Sequence, residues 1–252
     1  MNDFEPFLRF GLLLVRPGTL VMAAPPFGAP YAPMPVRLGL TLLFTLTLMP
    51  VVAAPSTITL IELVVVVARE MAIGLAIALG IRALMGGAEL AGHLSGYQLG
   101  FSYGAIVDPQ SGVRNSMFAA LYSNMALIVF FAVDGHHALL RAMAASYTQL
   151  PIGIGHVDGS VVVAVTSMLG IVFVLGVRLA MPLILVLMVV EVALGLIARA
   201  APAINLMAVA QPLRILIGLL VIASIIGITP GLIGRYITPA LEAGMRGALA
   251  FR

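Results

Sequence analysis

The stretch GSVVVAVTSMLGIVFVLGV, residues 159–177, contains no aspartate, glutamate or arginine. A helix needs about 20 apolar residues to cross a hydrocarbon core about 30 Å thick. Backbone amides in lipid must be hydrogen-bonded within their own segment, so this stretch is expected to be helical. Comparable length and absence of charge recur in residues 38–61, 115–133 and 215–234. The sequence therefore predicts an all-α integral membrane protein.

Composition excludes several other classes of protein. Hydrophobic residues make up 62% of the 252 positions and charged residues 9%, whereas a soluble domain is about 25% charged. A transmembrane β-barrel would alternate polar and apolar positions in strands of about ten residues, and no such alternation is found. The net charge of +3 is too small and scattered to predict a nucleic-acid partner. The absence of cysteine removes disulfides and thiolate metal sites.

Apolar residues are grouped into about six helical units, so hydropathy alone would give six spans. Their limits are residues 7–24, 38–54, 57–85, 116–133, 160–190 and 213–235. Two units, 57–85 and 160–190, are longer than one perpendicular span requires, because a helix rises about 1.5 Å per residue. We expect these two to tilt, break or extend beyond the bilayer. No linker or change of composition divides the chain, which predicts a single helical domain over residues 1–252.

Small residues recur at every fourth position in the middle of the chain. The predicted helix-packing stripe consists of Ala72, Ala76, Gly80, Ala88, Gly92 and Gly96, and the same spacing continues to Gly100 and Gly104. Small residues let membrane helices approach closely, which favours a packing ridge. Glycine also weakens a helix by up to ~1 kcal/mol relative to alanine. The glycine-rich end is therefore equally open to interpretation as a segment that bends or unwinds.

The stripe leads into GYQLGFSYGAIVDPQSGVR, residues 96–114, which is unusually polar for this chain. Proline disfavours helix at the preceding Asp108, and Gly112 permits a positive φ, so local chemistry predicts a turn or loop. Non-helical backbone at membrane depth persists only when it is buried in protein or lines water. A surface loop between spans and a helix cap are the alternatives. The candidate segment is Gly100, Phe101, Ser102, Tyr103, Gly104, Ala105, Ile106, Val107, Asp108, Pro109, Gln110, Ser111 and Gly112.

Four charged residues lie within or at the ends of apolar runs: Glu62, Arg69, Arg178 and Glu191. Such residues are functional candidates by default. Glu62 and Arg69 share a helix face, which favours mutual or intersubunit salt bridging over a proton relay. The four histidines form no HxxxH pair, so we predict interfacial hydrogen bonding and no metal site. Asp108 has no evident catalytic partner, and no nucleotide-binding motif occurs.

Residues 193–215, ALGLIARAAPAINLMAVAQPLRI, combine apolar helical sequence with residues that interrupt helices. Gly195, Pro202 and Asn205 interrupt the pattern, and Pro212 is expected to begin a new helix, because proline suits the first helical turn. The stretch predicts a kinked helical hairpin.

Several of these motifs, in the same order, resemble the FliR family of flagellar export-gate proteins, whose relatives serve virulence type III secretion. They are AELAGHLSGYQLGFSYGAIVDPQSG at 88–112, FFAVDGHHALLRA at 130–142, LPIG at 150–153, and ALGLIARAAPAINLMAVAQPLRILIGLL at 193–220. The similarity is collinear over residues 15–235. Two positions depart from the family pattern: Ala210-Gln211 stands where Gly-Phe is expected, and Asp134 stands where asparagine is frequent.

The resemblance implies a non-enzymatic subunit of the flagellar type III export gate in the bacterial inner membrane, within the flagellar basal body. It implies a hetero-oligomer with the P and Q export-gate subunits that acts with the A and B export components on exported unfolded proteins, in contact with membrane lipid and without a cofactor. Family members arrange helical hairpins around a conduit, and much of the assembly rises out of the membrane plane. They also carry a loop that obstructs the closed conduit, and the matching positions here are residues 100–112.

Two other classes of function remain as alternatives. A secondary transporter for a small solute could also use broken helices at mid-membrane, but it predicts internal repeats and a defined binding site, neither of which is convincing here. An intramembrane enzyme would need a catalytic constellation, such as serine with histidine or paired aspartates. The prediction of a protein-conducting gate subunit therefore rests on the resemblance to the family.

Overall fold

A computed structural model describes residues 5–28, 31–53, 58–101, 117–153, 155–201 and 206–252. Within these ranges the chain is helical and contains no strand, which confirms the all-α membrane fold. The helices are α1 Glu5–Ala23, α2 Met34–Leu48, α3 Leu60–Gln98, α4 Met117–Ala132, α5 Gly135–Gln149, α6 Ser160–Ala200, α7 Leu206–Ile225, α8 Thr229–Gly234 and α9 Ile237–Leu249.

The number of spans is lower than hydropathy alone predicts. In the described part of the chain, four helices are long and apolar enough to cross a membrane: α1, α3, α6 and α7. Helices α4 and α5 are long enough for a fifth span only when they are counted together, and they are bent by 70° relative to each other. Helix α2 has 15 residues, and a turn follows it at Met49 and Pro50. Each of the six apolar units forms a helix, as predicted, but α2 and α4 are too short to cross a membrane alone.

The two overlong units are uninterrupted helices. Helix α3 has 39 residues, so it is about 58 Å long, and it continues 13 positions past the predicted end at Met85. Its glycines do not end it. Helix α6 has 41 residues and continues through Pro182. Both helices are longer than the hydrocarbon core of a bilayer is thick.

The chain divides into two compact units. Unit 1 comprises residues 1–83, 130–170 and 237–252, and unit 2 comprises residues 84–129 and 171–236. Helices α3 and α6 each contribute residues to both. The prediction of one domain over the whole chain stays a prediction.

Unit 1 has an apolar core between α1, α3 and the end of α5. Its fully or nearly fully buried members are Leu12, Leu13, Val52, Val66, Tyr147 and Ile152. At the start of α5, Asp134 has a φ of 57°, a left-handed conformation that aspartate adopts more readily than most residues. Asp134 lies between α4 and α5, at the bend that joins them.

Unit 2 has its own apolar core, in which α7 packs on α6. The buried residues are Leu99, Phe118, Leu183, Leu187 and Ile222. The predicted hairpin of residues 193–215 falls at the end of α6 and the start of α7. Gly195 lies inside α6 and does not interrupt it, and Pro202 and Asn205 lie outside the described residues. Pro212 does not begin the second helix, however, but lies inside α7. We attribute its tolerance to the packing of Ile217 and Ile222 in this core, which favours continuation of the helix.

Candidate functional site

Unit 1 contains a buried ion pair that was not predicted from the sequence. The Arg16 Nε donates to Glu70 Oε2 at 2.8 Å and its Nη2 donates to Glu70 Oε1 at 3.0 Å. Both side chains are fully buried. The same guanidinium donates to the Ser146 hydroxyl at 2.7 Å and to the Leu150 carbonyl at 2.9 Å, and it lies 3.9 Å from the Tyr147 ring centroid. Helices α1, α3 and α5 are thereby joined by one cation.

Arg69 and Glu62, predicted to share a helix face, have separate partners in the structure. Arg69 donates to the Phe251 carbonyl at 2.7 Å and to the Pro151 and Gly153 carbonyls at 2.9 and 3.1 Å. It therefore connects α3 to the segment after α5 and to the carboxyl end of unit 1.

Glu62 lies in the first turn of α3 and takes part in a reciprocal cap with Thr59. The Thr59 N–H donates to Glu62 Oε2 at 2.8 Å, and the Glu62 N–H donates to the Thr59 hydroxyl at 3.3 Å. This is a capping box, which satisfies two N–H groups that the start of a helix leaves open. The mutual Glu62–Arg69 ion pair suggested by the sequence is thus not formed.

Glu191 and Arg178 lie in unit 2. Glu191 accepts from Arg214 Nη2 at 2.9 Å, which fixes α6 to α7. Arg178 lies 6.0 Å from the Tyr236 ring centroid and lines a cavity together with Arg235. The four predicted intramembrane charges are therefore not brought together at one site. Their pairing across subunits stays a prediction.

The small-residue stripe lies along α3 and faces a different helix in each unit. In unit 1, a Cβ at Gly80 would overlap the carbonyl oxygen of Ala240 and the backbone of Gly244 on α9. In unit 2, a Cβ at Gly92 would overlap the backbone of Ala119 on α4. These contacts support the packing interpretation, and Gly92 and Gly96 lie within the helix. Ala76 and Ala88 are buried and Ala72 is partly buried.

The predicted closure segment begins at the end of α3, and its first two residues are described. Gly100 has a φ of +82°, and a side chain there would collide with the Gln211 amide. Gln211 Nε2 donates to the Leu99 carbonyl at 3.1 Å, and the Phe101 ring lies 5.5 Å from that of Phe118. Residues 102–112, including Asp108, lie outside the described residues.

Gln211 is the residue at this site that sequence reasoning missed. It had been noticed only as a departure from the family pattern. The signal was present, since a glutamine in an apolar helix needs a hydrogen-bond partner, but its partner is 112 positions away.

Among the described residues, Asp134, His136 and His137 are close enough to hold a metal ion, with their ligand atoms within 4.8 Å of one another. His137 Nδ1 lies 3.0 Å from Asp134 Oδ1. This contact joins the residue before α5 to its first turn, and the predicted interfacial hydrogen bonding of the histidines stays a prediction. The expectation of no metal site stays a prediction.

Comparison with known proteins covers nearly the whole chain. Residues 7–239 match a family described as "Bacterial export proteins, family 1". The chain is 32% identical to the flagellar biosynthetic protein FliR of Caulobacter vibrioides, over 94% of this chain and 97% of that protein. It is 28% identical to the protein of the same name from Escherichia coli, over 84% and 82%. It is 24% identical to that of Bacillus subtilis, over 88% of each. The resemblance predicted from the sequence motifs is thereby confirmed, and the chain belongs to the FliR family of bacterial export proteins.

Proposed function

We propose that this chain is a structural, non-enzymatic subunit of the flagellar type III protein export gate. It would help to form and close the conduit through which unfolded flagellar proteins are exported across the inner membrane. The observation that carries the proposal is the match, over most of the chain, to proteins named flagellar biosynthetic protein FliR. The alternative of a secondary transporter gains no support from this family.

The geometry around Gly100 supports a role for residues 100–112 in closure. The chain leaves α3 through a left-handed glycine that lies against the Gln211 side chain. A hydrogen bond to the Leu99 carbonyl fixes the start of the segment on α7. A polar segment with one fixed end is suited to cover a watery opening and to move aside for an unfolded chain, whereas a well-packed apolar helix is not.

Exposed apolar surface supports a role inside a larger assembly. Only 11% of the apolar window of α7, Ala208–Ile225, is buried within the chain. Leu216 and Leu220 are 58% and 63% exposed. Such a surface is normally covered by lipid or by protein. We propose that membrane lipid and the P and Q subunits cover this apolar surface. The gate would act with the A and B export components and would lie in the flagellar basal body.

A secretion assay tests this function. In a strain that lacks the gene, we expect flagellar hook and filament proteins to disappear from the culture medium, and the intact gene to restore them. A protein exported to the periplasm by the general secretory route serves as the control and should be unaffected. Normal flagellar secretion in the deletion strain would contradict the proposal.

A further inference from the structure

A cavity of about 450 Å³ in unit 2 contains two arginines that the proposed function does not use. Arg178, from the middle of α6, and Arg235, which follows α8, both line it and are both exposed. The remaining lining residues come from α6, from the end of α7, from the segment that joins α7 to α8, and from α8 itself. The cavity therefore combines two cationic side chains from separate elements.

The charge of this cavity is not balanced within the described part of the chain. No acidic residue is among the described residues that line it, and the described Glu191 of unit 2 is paired with Arg214. Within the described part of the chain, Arg178 forms no ion pair and lies 6.0 Å from the Tyr236 ring centroid. Two guanidinium groups without carboxylates favour an anionic ligand, and a phosphate matches the fork of each guanidinium.

The walls of the cavity and the surface around it are apolar. Leu179, Pro182, Ile225, Ile228 and Leu232 are among the lining residues. Ile228 is 70% exposed. On α6, Val174 lies about one turn from Arg178, on the same face of the helix, and is 43% exposed. A small soluble anion would gain nothing from this surface, whereas acyl chains would.

Each arginine follows a stretch without charge in the sequence, and the stretch before Arg178 is one continuous helical segment. The 18 residues Ser160–Val177 precede Arg178, and residues 215–234 precede Arg235. At 1.5 Å per residue, Ser160–Val177 is about 27 Å long, close to the thickness of the hydrocarbon core. An arginine that follows a stretch of this length can reach the headgroup layer, where basic pockets between helices bind anionic headgroups.

We propose that this cavity binds the phosphate headgroup of an anionic phospholipid. Arg178 and Arg235 bind the phosphate, and the acyl chains lie along the exposed apolar face of α6. The site adds a specific lipid contact to the general contact with the bilayer that any membrane protein makes.

Lipid titration followed by native mass spectrometry tests the proposal. The full-length chain, in the complex in which it is purified, is stripped of lipid and titrated with phosphatidylglycerol or phosphatidylcholine of the same acyl chains. We expect phosphatidylglycerol to bind roughly tenfold or more tightly, since each arginine near a membrane surface contributes about 1 kcal/mol toward anionic lipid. The variant Arg178→Gln/Arg235→Gln should lose this preference. Arg199→Gln, which alters an exposed arginine on the same helix, is the matched control and should keep it.

The lysine variant controls for folding. Arg178→Lys/Arg235→Lys should retain part of the preference for phosphatidylglycerol, which would show that the glutamine variant has not simply lost its fold.

Two other results would contradict the lipid assignment. Competition by inorganic phosphate as effective as that by phosphatidylglycerol would overturn the lipid assignment and indicate a site for free phosphate. If the glutamine variant loses co-purifying proteins while its lipid preference is unchanged, the arginines bind a partner's carboxylates and the proposal is wrong. Secretion in the deletion strain is measured independently, so failure here leaves the proposed function untouched.

Discussion

Arg16 and Glu70 are separated by 54 positions in the sequence, yet they form the most buried ion pair described in unit 1. The arginine makes four hydrogen bonds to three partners, so nearly all of its donors are satisfied. Removing one partner of such a pair leaves an uncompensated buried charge, which is far more costly than the pair itself is stabilising. The pair is therefore expected to be essential to the fold of unit 1.

Substitution of Glu70 tests this at the residue scale. We expect Glu70→Ala to destabilise the folded chain by about 3–5 kcal/mol, the typical cost of a broken buried pair, and to lower the midpoint of thermal unfolding in detergent. Glu89→Ala is the control, because Glu89 lies on the same helix but is half exposed. Equal unfolding midpoints for the two variants would show that the ion pair is not needed.

How much the sequence predicted at this scale depends on the distance between partners. The cap of α3 could be predicted from local sequence, because Thr59 and Glu62 have the spacing of a capping box. Glu62 was instead assigned to the intramembrane charges. Arg16 had a recognisable signal, an arginine within an apolar run. Its partner Glu70 was not predictable, because only the packing of α1, α3 and α5 determines which acidic residue lies next to Arg16.

At the element scale, α3 is a single 39-residue helix in which small residues permit close contacts in each unit. Periodicity predicted the stripe as a packing ridge, and that role stays a prediction. It did not predict that the helix continues through the glycines, because glycine's intrinsic cost is about 1 kcal/mol per position and tertiary contacts outweigh it. Only the packed structure shows that Gly80 meets α9 and that Gly92 meets α4.

A bulky residue at Gly80 tests the packing interpretation. We expect Gly80→Val to force α3 and α9 apart and to destabilise the chain by about 1–3 kcal/mol or more, the usual cost of overpacking. Gly195→Val is the matched control, because Gly195 is also helical and has no neighbour within 4 Å of an added Cβ. Thermal unfolding and the yield of assembled complex are the measurements. If both variants assemble equally well, the stripe does not pack helices.

The contact between α7 and the end of α3 supports a second prediction at this scale. Gln211→Ala removes the hydrogen bond to the Leu99 carbonyl and leaves a buried acceptor, at a cost of about 1–3 kcal/mol. If this contact anchors the closure segment, ion leakage across the inner membrane should rise while assembly is retained. Gln149→Ala, at an exposed position on α5, is the control. Leakage no greater than in this control would show that the anchor is not part of closure.

At the scale of the whole molecule, residues 7–239 follow one family pattern although the contacts divide into two compact units. Composition predicted a helical membrane protein, and ordered motifs predicted the family. The count of spans was not predictable from hydropathy, because α2 is short and α4 bends into α5. Under the proposed function the chain acts within an assembly, and no single cluster of side chains among the described residues accounts for that function.

The central claim is that residues 100–112 help to close the conduit of an export gate. The most direct test deletes Ala105–Gln110 in the full chain, expressed with its partner subunits, and measures ion leakage across the inner membrane alongside recovery of the purified complex. The intact chain and a variant in which these six residues are replaced by a glycine-serine segment of equal length provide the comparison. We predict increased leakage from an assembled complex with the deletion. Unchanged permeability in a fully assembled complex would contradict the account.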